Sequence, residues 1–98
     1  MTTSRSRYLV TYDVADDKRR DRVHRTLLDF GDALQFSVFL CDLNDRERID
    51  LHGRLGEAIH HRDDQVLVVK LGPTDRDARE IMESVGRTFV VPTRVVVV

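Results

Sequence analysis

Short apolar runs alternate with stretches in which apolar residues recur every third or fourth position, and that alternation orders the chain. Tyr8-Leu-Val-Thr-Tyr-Asp13 is a β-branched and aromatic run, which predicts a buried strand ending on a carboxylate. Asp16 or Asp17 then offers a side-chain oxygen to the free N–H groups of a helix's first turn. Val23, Leu27 and Phe30 form the core stripe of that helix. Lys18, Arg22, Arg25 and Asp29 lie opposite, and Arg19 and Arg20 flank the stripe near its start. Gly31 is expected to end the helix as a left-handed residue.

Residues 33–42 read as strand again, a short one bending into a second near Ser37. Asn44 or Asp45 caps a second helix with an apolar stripe of Leu51, Leu55, Ala58 and Ile59, and Gly53 and Gly56 fall off that stripe. Residues 65–71 predict a strand stopped by Gly72-Pro73. Residues 74–85 fit a short amphipathic helix on Ala78, Ile81, Met82 and Val85, capped by Thr74 and ended by Gly86. Two short strands follow, at 88–91 and 94–98, around Pro92. The order β-α-β(β)-α-β predicts an α+β class: a ferredoxin-like split βαβ sandwich, an antiparallel sheet with its helices on one face. Residues 1–98 are expected to form a single domain. A valine run at 95–98 presents an apolar edge that must be covered, by a second copy, by a partner, or by pairing within its own sheet.

Charge changes the picture locally rather than globally. The formal net charge of −1 gives no overall pull toward a polyanion. From Lys18 to Leu28, however, five basic residues face only Asp21, so the first helix is a candidate phosphate-facing element, or simply a solvated face with pairs such as Asp21–Arg25. The single cysteine, Cys41, excludes an internal disulfide and fits a reducing cytoplasm. The basic start leads into no apolar segment, and no run approaches the roughly 18 residues of a membrane span, so a cytoplasmic location without membrane contact is expected.

Strong enzyme motifs are lacking: no glycine-rich phosphate loop, no Ser/His/Asp set, and no zinc-like spacing among His24, His52, His60 and His61. The chemistry-bearing candidate is Asp13, a carboxylate just past a strand on an apolar run. One such hard oxygen donor suits Mg²⁺ or Mn²⁺ that keeps most of its waters. It equally suits a turn or cap, and Asp16 and Asp17 read as acids favoured at a helix start.

Tyr8-Leu-Val-Thr-Tyr-Asp-Val-Ala-Asp-Asp-Lys-Arg-Arg20, Val23, Leu27, Phe30-Gly31, Leu34-Gln-Phe-Ser-Val-Phe39 and Leu43 resemble the small CRISPR-associated protein of the spacer-acquisition complex, the second of the numbered Cas proteins. The resemblance implies a ferredoxin-like homodimer whose C-terminal strands, about 94–98, pack on the partner protomer. It implies one Mg²⁺ (or Mn²⁺) held between two copies of Asp13, which serves as metal ligand and catalytic residue, and endoribonuclease or DNase activity. It further implies a scaffold that carries duplex DNA between dimers of the CRISPR integrase subunit, with RNA as the other polymer family members act on. Arg20 and Arg22 match the family's basic positions, with Lys18 and Arg19 beside them as further nucleic-acid contacts. Tyr12, Ser37 and Phe39 are implied near the metal cleft, their alternative being aromatic core and turn hydroxyl. Ala33 departs from the pattern, since many members of that family carry a basic residue before the Gln-x-Ser-Val-Phe motif. The competing reading is a ferredoxin-like protein–protein interaction module without nucleic-acid chemistry.

Overall fold

The computed structural model describes residues 4–90, which form β1 (Ser6–Asp13), α1 (Asp17–Leu28), β2 (Gly31–Gln35), β3 (Val38–Leu43), α2 (Asp45–Ala58), β4 (Gln65–Pro73) and a one-turn α3 (Ala78–Ile81). The strands form one sheet in the order β2-β3-β1-β4, every neighbouring pair antiparallel. β3 is thus inserted between β1 and β2, the two strands that α1 connects, which is the ferredoxin-like arrangement.

Strand alternation decides what each face does. Tyr8, Val10 and Tyr12 of β1, with Phe39, Cys41 and Leu43 of β3, point to one side and are buried. Val23 and Leu27 of α1 and Leu51, Leu55 and Ala58 of α2 pack onto them as a single core. Full burial of a side chain the size of Val23 or Leu51 contributes about 1.5–3 kcal/mol. Both long helices start on side-chain caps. Asp16 accepts from the Arg19 amide at 2.9 Å. Asn44 accepts from the Glu47 amide at 2.8 Å, while the Glu47 carboxylate accepts from the Asn44 amide at 3.0 Å, a reciprocal capping box.

Four expectations change, the first being that β4 runs through Gly72 and Pro73, which pair with Arg7 and Ser6, rather than stopping before them. Gly31 does not end α1 in a left-handed conformation; Asp29 closes the helix and Gly31 opens β2 with negative φ. Glycine is required there because a Cβ would collide with the Leu40 carbonyl and lie 2.5 Å from the Cys41 sulfur. The helix over 74–85 shrinks to one turn capped by Asp77, not Thr74, with Met82 already extended. Its pattern fails because Val85 is fully exposed, so no continuous stripe is buried. Residues 88–90 carry no strand, and the predicted strand at 94–98 lies outside the described residues.

Candidate metal and nucleic-acid site

Asp13 ends β1 opposite Gln65 of β4, exposed, on the sheet face turned away from α1 and α2. Its carboxylate makes no hydrogen bond or ion pair among the described residues. That face is unusually apolar: Leu9 and Val38 are half-buried, Leu40 is buried, and Leu67 and Val69 are 49% and 44% exposed. The segment after α3 crosses part of it, leaving a groove of about 640 Å³ lined by Leu9, Leu34, Val38, Val85 and Phe89.

The turn after Asp13 is fixed by side chains from distant positions. The Val14 carbonyl accepts from Arg20 Nε at 3.2 Å, and the Ala15 amide donates to Asp64 Oδ1 at 3.0 Å. The Asp64 side chain is fully buried between α2 and β4 and also accepts from the His60 amide at 2.8 Å. Arg19 completes it, donating Nε to Oδ2 at 2.7 Å and Nη2 to Oδ1 at 3.2 Å. The guanidinium first, and the two amides with it, holds the Asp64 carboxyl well below the usual carboxylate range, against the cost of its burial. The hydrogen bond from the Arg19 amide likewise lowers the pKa of Asp16.

The cleft candidates separate. Tyr12 and Phe39 are core residues, 6% and 0% exposed, on the face opposite to Asp13, so they do not flank it. The alternation that turns Asp13 outward turns its neighbour Tyr12 inward. The Tyr12 hydroxyl donates to the Phe36 carbonyl at 2.9 Å, so His24 Nδ1, 3.0 Å from the same oxygen, must donate to it. Burial pushes the Tyr12 phenol above its ordinary pKa and keeps it a neutral donor. The His24 ring lies between Phe36, nearly parallel at 5.8 Å, and the edge of Phe39 at 5.2 Å. Ser37 is the one cleft candidate beside the strand end: it sits in the β2–β3 turn and its carbonyl accepts from the Tyr12 amide at 3.2 Å.

The four basic candidates divide too. Arg20 is committed to Val14 and, at 2.7 Å, to Asp17, and Arg19 to Asp64, whereas Lys18 and Arg22 are exposed with no ion pair among the described residues. Asp64 and His24, which organise the surroundings of Asp13, carry no local signal: Asp64 ends the charged stretch His60-His61-Arg62-Asp63-Asp64, and His24 resembles any residue beside a core stripe.

Among the described residues no three His, Cys, Asp or Glu side chains cluster to hold a metal. Asp13 alone fits a largely hydrated Mg²⁺ only if another molecule brings a second donor. No helix among the described residues is long and apolar enough to cross a membrane.

The sequence family described as CRISPR associated protein Cas2 matches residues 6–79. A CRISPR-associated endoribonuclease Cas2 of Geobacter sulfurreducens is 35% identical over 82 residues, 84% of this chain and 85% of its own. A second, from Rhodospirillum rubrum, is 39% identical over 82 residues, 84% of this chain and 79% of its own. In fold, the chain is similar to the crystal structure of Streptococcus pyogenes Cas2, with a TM-score of 0.72 and 30% identity over 82% of this chain and 99% of that one.

Proposed function

The chain belongs to the Cas2 family of CRISPR-associated proteins, and we propose that it works as a homodimer joined through the outer sheet face, with the two Asp13 carboxylates sharing one Mg²⁺. One observation carries this reading: a carboxylate at the end of β1, without a partner among the described residues, shares its face with Leu9, Val38, Leu67 and Val69. Two copies that bury this face supply two donors where one chain has one. Mn²⁺ suits the same oxygen donors.

The dimer cleaves RNA phosphodiesters, the activity in the names of its relatives, and binds duplex DNA through backbone phosphates as a scaffold for the CRISPR integrase subunit. The bound metal would polarise a phosphodiester and lower the pKa of a coordinated water. The protein's own share is to hold Asp13 at the two-fold axis and to offer Lys18 and Arg22 to phosphates flanking it. Binding through backbone phosphates is salt-sensitive and indifferent to sequence.

Replacing Asp13 by Asn tests the site, since it keeps the shape and removes the charge. The Asp13→Asn protein is expected to fold and assemble like the wild type and to lose Mg²⁺-dependent RNA cleavage to background. Undiminished cleavage overturns the assignment of Asp13. Wild-type protein that leaves RNA and DNA intact in Mg²⁺ and Mn²⁺ removes the catalytic half of the reading, and duplex binding that ignores salt removes the scaffold half.

A further inference from the structure

The proposed function leaves one arrangement unused: a fully buried carboxylate that reaches across the molecule to the turn behind Asp13. We infer that Arg19 and Asp64 form a clamp that positions Asp13, and that Arg19 is a positioning residue rather than a phosphate contact. This inference rests on the reading of Asp13 as the metal ligand.

Asp64 accepts four hydrogen bonds: from the Ala15 amide, from the His60 amide, and from Nε and Nη2 of Arg19. Its two backbone donors belong to two loops, the β1–α1 turn and the α2–β4 turn, so one carboxylate ties both together. Ala15 stands two residues after Asp13, and between them Val14 is buried with its carbonyl held by Arg20. On the other side of Asp13, the Tyr12 amide is held by the Ser37 carbonyl. The backbone that carries Asp13 is therefore fixed on both sides, while its side chain has no partner among the described residues. Such an arrangement suits an exposed metal ligand, because a carboxylate with no neighbour of its own can be aimed only through its backbone.

Arg19 is committed by the same geometry. A buried carboxylate needs its counter-charge, and the fork of the guanidinium meets both Asp64 oxygens. Turning Arg19 outward to a phosphate would strand Asp64 without that charge. Lys18 and Arg22, exposed and without ion pairs among the described residues, carry no such obligation.

Three measurements on the full-length protein test the clamp: amide exchange at Ala15 and His60, the salt dependence of binding to a duplex of about 20 base pairs, and the Mg²⁺ concentration giving half-maximal RNA cleavage. Asp64→Asn is expected to speed exchange at Ala15 and His60 while core amides such as Val10 and Phe39 stay protected. Arg19→Ala and Asp64→Asn are each expected to raise the half-saturating Mg²⁺ concentration about tenfold, and together no further. A general loss of stability does not produce that shift in protein that is still folded. Arg19→Lys, which keeps the charge but gives up the two-point grip, falls between, and it carries the test if Asp64→Asn does not fold. Lys18→Ala is expected to lower the slope of log affinity against log salt by about one, and Arg19→Ala to leave it unchanged. A slope lowered by Arg19→Ala, or Ala15 exchange unaltered by both Asp64→Asn and Arg19→Lys, overturns the clamp. Absence of wild-type cleavage would count against the Asp13 reading alone, since exchange and salt slope still decide the role of Arg19.

Discussion

The two faces of the sheet are built from the same strands, residue by alternate residue, yet they are organised by different rules. On the helix-covered face, Val10, Phe39, Cys41 and Leu43 are at most 1% exposed, and the polar groups among them are paired, as the Tyr12 hydroxyl is with His24 and Phe36. On the outer face, Leu67 and Val69 stay near half exposed and Asp13 is unpaired among the described residues. A face already complete can only be damaged by substitution. A face left incomplete holds its value for something outside the chain, so a change there should leave the folded protomer intact and alter what it does. The Tyr12-Asp13 pair states the division most sharply, with a core residue and a candidate ligand on adjacent positions.

The largest expected effect lies on the covered face. Phe39 is 0% exposed, tilted against Tyr12 at 6.4 Å and edge-on to His24 at 5.2 Å. Phe39→Ala opens a cavity in the middle of the core and is expected to cost about 3–5 kcal/mol in urea unfolding. If Phe39 instead served a cleft, the same change would cost activity with little stability. A smaller effect is expected within the β2–β3 hairpin, where Gly31 lies against Leu40 and Cys41. Gly31→Ala forces the β2–β3 pair apart and is expected to cost about 1–3 kcal/mol. Gly53→Ala, with nothing within 4 Å of the added methyl, is the matched comparison and should stabilise the exposed helix.

How much of this was legible in the sequence follows the same division. The strands, both long helices and their apolar stripes could be read because Val23–Leu27 and Leu51–Leu55 repeat at helical spacing and Asn44 with Glu47 spells a cap. The position of Asp13 at a strand end was equally readable. What could not be read depends on partners far away in sequence. Asp64 acquires its role from Arg19 and Ala15, 45 and 49 residues distant. Gly31 is conspicuous as a glycine, but its reason is a contact across the hairpin rather than a helix end. The apolar stripe already set Arg19 and Arg20 apart from Lys18 and Arg22, but the partners that hold those two arginines, Asp64 and the Val14 carbonyl, could not be read from the helix itself. Thr74 and Val85 had the pattern of a helix but not the apolar surface to rest it on.

The smallest expected effect on stability is the most informative about the outer face. Leu67 is 49% exposed, and its position in β4, at the edge of the sheet among the described residues, lets a lysine extend its ammonium into water along the sheet. Leu67→Lys is therefore expected to change protomer stability by no more than about 0.5 kcal/mol. In a dimer joined through this face the same residue would carry a buried charge against its symmetry mate, and like charges in a desolvated interface oppose association. Sedimentation should then show the variant shifted from dimer to monomer. Ile49 of α2 supplies the contrast: it is 63% exposed, more than Leu67, and lies on a helix rather than on the outer sheet face. Ile49→Lys should leave assembly unchanged, which separates the place of the charge from its mere addition. A Leu67→Lys protein that sediments as the wild-type dimer would show that the outer face is not the joint, and the pairing of two Asp13 carboxylates across it would fall with it.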